Sequence, residues 1–363
     1  MITALIVVGI LVVLIVAHEL GHFVAAKLFG VRVEEFGVGY PPRAFSFGRW
    51  GGTEYTLNWI PFGGFVRLYG DEGEEQHGKG SLIDANRGVQ AVILVAGVTM
   101  NALMGWALFT GALHAGIPRV VNDPAPGEPV RLVVADVVPG SPADAAGVRP
   151  GDQLLALEDE NGASPEELAP APISEFIAEH AGEPVSLTYV HAGATSTATL
   201  VPAHAVIPDS AGRAALGVAL VLVSSEPLSW PESAVAAFSS TKNAFVSIGS
   251  GLGTMARQAL QGSPNLSDIV GPIGLVQVVD DAADNGIGNI LALAGFISIN
   301  LAIINLIPIP ALDGGRLVLL GFEALARRSA PRLAVQMLNA LGVALIVLLM
   351  ITVTYNDVAR LLA

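Results

Sequence analysis

Residues 2–28 form an apolar run whose first charged side chain is Glu19, inside Ala17-His18-Glu19-Leu20-Gly21-His22. At about 1.5 Å per residue a helix of this length crosses a bilayer. Ionisable groups at that depth are rare and usually functional. Two His four apart lie on one helix face, one turn apart, so both imidazoles can reach one metal ion. Glu19, beside His18, is then placed to act as base on a metal-bound water. The bland alternative is a pair of buried His hydrogen-bonded within a core. A cleaved signal peptide is disfavoured, because the run lacks a basic N-terminal region and a small-residue cleavage site.

Composition extends the membrane reading to the whole chain. Only 14% of the 363 residues are charged and 52% are hydrophobic, against about 25% charged in an ordinary soluble protein. With no Cys, a disulfide framework and a Cys-based zinc site are excluded. Residues 118–285 hold 20 Asp and Glu against 6 Lys and Arg, which is the whole of the net charge of −14. An acidic soluble module therefore interrupts neutral membrane parts. No basic patch suggests nucleic-acid binding.

The expected fold is a polytopic α-helical membrane protein with four transmembrane helices, a membrane-associated β-hairpin region and an inserted α/β domain. Spans are expected at about 2–28, 89–117, 287–309 and 334–354. The first half of the membrane core is residues 1–117. Its loop 31–87 carries Arg32, Arg43, Arg49, Arg67, Lys79 and Arg87, which places it in the cytosol by the positive-inside tendency. Ala44–Arg49 and Thr53–Trp59 alternate around Gly51-Gly52 and read as a β-hairpin. Phe62–Val66 reads as another strand or bend, and Asp71–Gly80 as an exposed turn. Asn101 in the second span suits packing against a neighbouring helix.

Residues 118–205 read as the inserted domain. Strands are expected at 131–138, 154–157, 185–190 and 195–201, with a helix at 173–180. The next segment, 206–285, reads as a linker, with Ser233–Gln261 a helix along the membrane surface or over the domain; Lys242 and Arg257 argue against a further span. The membrane core resumes over 286–363. Pro308 and Pro310 cannot continue a regular helix, so the chain unwinds there. Arg316, Arg327, Arg328 and Arg332 place this end in the cytosol, leaving both termini and the acidic domain outside.

The first and third spans run the same way, so His18, His22 and Asp313 can meet at one depth near the cytosolic side. Two imidazoles and a carboxylate suit a catalytic zinc that keeps one position open. Asp313 has an alternative role, capping an Asp-Gly-Gly turn. None of the other five His is as well placed.

His18-Glu19-Leu20-Gly21-His22, Pro61-Phe62-Gly63-Gly64-Phe65-Val66, a Gly140-Ser141-Pro142-Ala143 segment of PDZ type, and Asn305-x-x-Pro308-x-Pro310-x-Leu312-Asp313-Gly314 together resemble the site-2 protease family. That family consists of intramembrane zinc metalloproteases. The resemblance is closest to the bacterial branch acting in regulated intramembrane proteolysis, here with a single PDZ-like insert. It implies one Zn²⁺ held by His18, His22 and Asp313, with Glu19 as catalytic base. It also implies that Asn300 and Asn305 contact the substrate and that the hairpin at 44–59 presents an edge to it. Implied partners are the lipid bilayer and single-span membrane proteins cut first by another protease, such as anti-sigma factors or remnant signal peptides, in a bacterial plasma membrane. Two rival classes remain. A membrane scaffold binding peptide ends through the PDZ-like domain would not need all four of His18, Glu19, His22 and Asp313. A zinc transporter would need ionisable sites along a path across the membrane.

Overall fold

The computed structural model describes residues 2–71, 77–191, 193–204, 206, 213–262, 271–328 and 330–362. The chain divides into two compact units, Gly116–Pro227 and the combination of Met1–Ala115 with Leu228–Ala363.

The larger unit opens with helix α1 (Ile2–Leu28), whose buried positions Leu14, Ala17, His18, Gly21, His22, Ala25 and Ala26 form one face at three- and four-residue spacing. Strands β1 (Val33–Trp50) and β2 (Thr53–Leu68) follow, joined at Gly51-Gly52, both with positive φ, as a tight hairpin turn requires. The pairing is richer than one hairpin. Residues 33–38 of β1 pair with 64–68 on one side and with 54–57 on the other, while 43–50 pair with 53–58. The result is four strand segments in the order 64–68, 33–40, 53–60, 43–50. Glu35, 4% exposed, binds this sheet together: it accepts from Thr56 Oγ1 at 2.8 Å, Arg43 Nη2 at 3.2 Å and Arg67 Nη2. Part of the expected turn at 71–80, residues 72–76, lies outside the described residues.

Helix α2 (Arg87–His114) starts at Asn86, whose side chain accepts from the Gly88 amide at 2.7 Å, a cap for an orphan N–H. Its contact with α1 is close. A Cβ at Gly21 would lie 2.3 Å from the Ala96 carbonyl oxygen, so only glycine allows this approach.

The smaller unit is one antiparallel six-stranded sheet. Its elements in chain order are β3 (Arg119–Val120), β4 (Val130–Val137), α3 (Pro142–Ala145), β5 (Gln153–Asp159), α4 (Pro170–Glu179), β6 (Val185–His191), β7 (Ala194–Leu200) and β8 (Val218–Ser224). The strand order is β3-β8-β4-β5-β6-β7. Leu132, Val134, Leu157, Ile173, Val185 and Leu187 make its core. The boundary expected at residue 205 falls inside this unit, because β8 pairs along its whole length with β4. An unbroken apolar run such as 218–223 has no period to identify it as a strand.

The chain then returns to the larger unit with α5 (Trp230–Leu260), opened by a capping box between Ser229 and Glu232. The indole of Trp106 donates to the Ala234 carbonyl at 2.9 Å, and Trp230 stacks on His114 with centroids 4.1 Å apart. The first turns of α5 therefore run antiparallel along α2. Helix α6 (Pro272–Asp284) follows, with Gly271 at its N-terminus. Helix α7 (Ile287–Leu306) ends three residues before 309, since Pro308 cannot be accommodated. Helix α8 (Asp313–Ala326), unforeseen in the sequence, is followed by α9 (Arg332–Leu362), which outruns the expected 334–354. Among the described residues, α1, α2, α7 and α9 are the four helices long and apolar enough to cross a membrane.

Asp357 explains the extension of α9. This carboxylate, 5% exposed, accepts from the amides of Gly271, Ile273 and Gly274 at 3.0–3.1 Å. It caps α6 from the last turns of α9. Thr3 of α1 also donates to Asp280 of α6 at 2.5 Å.

Candidate metal centre and active site

His18 and His22 project from the buried face of α1 at 8% and 9% exposure. Asp313 reaches them from the first position of α8. It is set there by an unwound segment in which Ala311 takes φ +78°, a strained value for a side-chain residue. The next two residues must be glycine. A Cβ at Gly314 would lie 2.4 Å from the carbonyl oxygens of Leu306 and Ile307, and one at Gly315 2.2 Å from that of Ile309. Asp-Gly-Gly therefore lets α8 begin tight against the unwound strand, with the carboxylate turned onto α1. Two ion pairs fix α8 further, Arg316 with Asp71 and Arg87 with Glu323.

Three donor atoms converge. His18 Nε2 lies 3.1 Å from His22 Nε2 and 3.1 Å from Asp313 Oδ2, and His22 Nε2 lies 3.3 Å from the same oxygen. Zinc at about 2.0–2.1 Å from tetrahedral ligands holds them about 3.3 Å apart, so the triangle fits one face of such a site. Electrostatics points the same way. His22 Nδ1 sits 2.8 Å from the Ile93 carbonyl, so it carries the proton and Nε2 presents a lone pair when the ring is neutral. Asp313 Oδ2 is buried and has no hydrogen-bond donor. Converging lone pairs in a buried pocket need a cation between them.

Helix α2 supplies the back wall, in three successive turns. The Ile93 carbonyl holds His22. Gly97 gives the rings room, since a Cβ there would lie 2.5 Å from His22 Nε2 and 2.7 Å from His18 Cε1. The Asn101 amide lies 3.2 Å from His18 Nδ1. Sequence reasoning treated Asn101 as packing alone and passed over Gly97. The available signal was a Gly and an Asn four apart in an apolar span, on one helix face.

Glu19 points off the adjoining side of α1. Its carboxylate lies beside the Val66 amide and in the fields of His22, His18 and Asp313, and its Cγ is 3.5 Å from where a Gly64 Cβ would be. The strand segment beside the site is therefore 64–68, an edge of the sheet, whereas the 44–50 edge lies three segments away. An open groove of about 370 Å³ runs along Phe65–Leu68, with Glu35, Tyr40 and Asp71 on its walls.

The two asparagines assigned to substrate are not in the cluster. Asn300 Nδ2 donates to the Phe296 carbonyl one turn back at 3.1 Å. Asn305 is half-buried in the last turn of α7, and its side chain has no hydrogen bond among the described residues. His77 pairs with Asp84 and His191 with Asp152, and His114 and His180 stack on aromatic rings. These four His are occupied elsewhere.

Comparison with known proteins agrees with this chemistry. The family model of peptidase family M50 matches residues 6–349. A Clostridium perfringens protein assigned as a zinc metalloprotease is 31% identical, over 95% of each chain. The zinc metalloprotease RasP of Shouchella clausii is 26% identical over 99% of each chain. The PDZ domain of an SdrC-like protein from Listeria monocytogenes aligns with 28% of this chain and 93% of its own at 20% identity, with a TM-score of only 0.21. The match of the family model over nearly the whole chain, together with the relatives of full length, places this protein in peptidase family M50 as a multi-pass membrane zinc metalloprotease of the site-2 type.

Proposed function

We propose that the protein hydrolyses peptide bonds within or beside transmembrane segments, using His18, His22 and Asp313 as zinc ligands and Glu19 as general base. The convergence of three lone-pair donors beside a fourth ionisable group carries the reading. Zinc, when bound, lowers the pKa of a coordinated water to about 7 and polarises the scissile carbonyl. Glu19 takes the water's proton and hands it to the departing amine. The neighbouring Val66 amide is the backbone group we assign to steadying the Glu19 carboxylate.

A transmembrane helix has its carbonyls already hydrogen-bonded, so it must unwind before attack. We assign the replacement bonds to the 64–68 edge. The Val66 amide faces Glu19, so by antiparallel alternation the N–H and C=O groups of Gly64 and Val66 point away from β1. An unwound substrate laid there as an added strand would pass directly beside the base. Asn300 and Asn305 retain the role of contacting substrate from α7. The substrates favoured are single-span proteins already shortened outside, such as anti-sigma factors, or remnant signal peptides. The metal centre then lies towards the cytosol, with both termini and the PDZ-like inserted unit outside.

Glu19→Gln tests the central claim. Cleavage of a helical membrane substrate should fall by about 10²–10⁴-fold while zinc content stays at that of the unaltered protein. Cleavage that survives the substitution refutes the base assignment.

A further inference from the structure

We infer that Asn101 is a positioning residue for the metal: its side-chain oxygen takes the Nδ1 proton of His18 and so presents that ring's Nε2 as a ligand. The inference rests on the ligand assignment above.

Asn101 is fully buried, where a polar side chain must find partners. Its amide nitrogen is placed 3.2 Å from His18 Nδ1, and its oxygen has no partner. Nitrogen and oxygen exchange places when the amide turns over, and as placed the oxygen faces no donor. Ligand chemistry chooses between the two orientations. A neutral His18 that ligates through Nε2 carries its proton on Nδ1. The group facing that proton has to accept, so the oxygen faces His18. Asn101 then does for His18 what the Ile93 carbonyl does for His22 at 2.8 Å. Both acceptors come from one face of α2, two turns apart.

The rest of the residue is fixed from the other direction. The Ser298 hydroxyl of α7 donates to the Asn101 backbone carbonyl at 2.8 Å, and Gly105, one turn on, packs against Ile299 and the Gly295 carbonyl. Packing of α2 on α7 thus runs through the backbone of Asn101 and through Gly105. The side chain is left for His18. Hydrogen-bonded partners of metal-binding His typically contribute 10–100-fold in metal affinity.

The test measures zinc affinity by chelator competition on the full-length protein in detergent, alongside thermal unfolding. Asn101→Leu, similar in size but unable to accept, should weaken zinc by about 10–100-fold. Asn101→Asp should bring affinity back to within a few-fold, because an ionised carboxylate accepts the same proton. Ser298→Ala removes the bond to α7 without touching the amide, and should lower stability and leave zinc affinity unchanged. Unaltered affinity in Asn101→Leu overturns the inference. So does failure of Asn101→Asp to restore it in a folded protein, because an amide that donates to Nδ1 cannot be replaced by a carboxylate. Equal losses in Ser298→Ala and Asn101→Leu would assign the effect to packing and also overturn it. The ligand assignment is checked separately: His18→Ala and Asp313→Ala must each lose zinc, whatever the Asn101 variants do.

Discussion

Gly97 faces both imidazole rings, and Gly97→Ala turns that geometry into a number. The added Cβ would lie 2.5 Å from His22 Nε2, 2.6 Å from His22 Cε1 and 2.7 Å from His18 Cε1. Ordinary contact between such atoms is about 3.5–4.0 Å, so the rings or the helix must give by about 1 Å. The rings have little freedom, since the Ile93 carbonyl and Asn101 hold their far nitrogens. Zinc sites tolerate ligand displacements of about 0.2 Å. Overpacking of this kind costs about 1–3 kcal/mol. Drawn from metal binding, that weakens zinc by about 5- to 150-fold.

Gly105→Ala is the matched control on the same helix face. Its Cβ would meet the flexible end of the Ile299 side chain at 2.6 Å and the Gly295 carbonyl at 3.2 Å, away from His18 and His22. Both variants should lower thermal stability. Only Gly97→Ala should lower zinc affinity and cleavage together. Gly9→Ala, whose Cβ has nothing within 4 Å, should be silent. If Gly97→Ala holds zinc as tightly as the unaltered protein, the rings are not confined by α2 and the account of the back wall is wrong.

Further expectations follow from other contacts. A Cβ at Gly342 would lie 1.9 Å from the Pro310 carbonyl oxygen, so Gly342→Ala should push the unwound segment that carries Asp313. Measured cleavage should fall more than the melting temperature, and the reverse would place α9 outside the site. Gly64→Pro removes an outward amide from the 64–68 edge, and should slow cleavage of stable helical substrates more than of helix-poor ones. Equal slowing would count against strand addition. In the inserted unit, the Ala163 and Asn161 amides, at 2.7 and 2.8 Å, hold the Asp159 carboxyl below its usual range. Its stabilisation is present above the unfolded value of about 3.9 and is lost as pH falls through the folded one. Acid unfolding of Asp159→Ala should be correspondingly shallower, and curves that differ only by a constant offset would refute this. Deleting the Gly116–Pro227 unit should let the enzyme cut a substrate with an intact folded ectodomain if that unit is a filter; an intact substrate still uncut argues for recruitment instead.

What could be read from the sequence was whatever depends on local spacing. His18 and His22 sit four apart on a helix, and Gly51-Gly52 permits one kind of turn. Pro308 and Pro310 stop one helix before Asp313. Each of these is settled within a few residues by backbone geometry. The Gly64–Leu68 edge was harder, because which of two edges faces Glu19 depends on how α1 lies against the sheet. The hairpin at 44–59 was the obvious edge in the sequence, and its free strand 43–50 lies at the opposite edge of the sheet from the 64–68 segment beside Glu19. Helices α6 and α8 escaped notice for a different reason. Each begins at a Pro or Gly cluster that reads as a loop, and each is held by a distant charge: Asp357 caps α6 from more than 80 residues away, and Arg316 of α8 pairs with Asp71.

The back wall shows the general limit most plainly. Ile93, Gly97 and Asn101 carry no metal-binding atom between them, so no ligand motif could point to them. Their importance comes from facing His18 and His22 across a helix contact that Gly21 and Gly97 make close enough. Had α1 and α2 packed at the distance that larger residues impose, the Ile93 carbonyl could not reach His22 Nδ1, and both rings would turn freely about their Cβ–Cγ bonds. A two-His motif on one helix fixes the spacing of its nitrogens but not their direction. Direction is set by the second helix, and Asp313, the proposed third ligand, arrives only because Gly314 and Gly315 let α8 begin where it does. The proposed metal centre is thus assembled from three pieces of chain, and in each piece glycine permits the approach that brings the polar side chain into range.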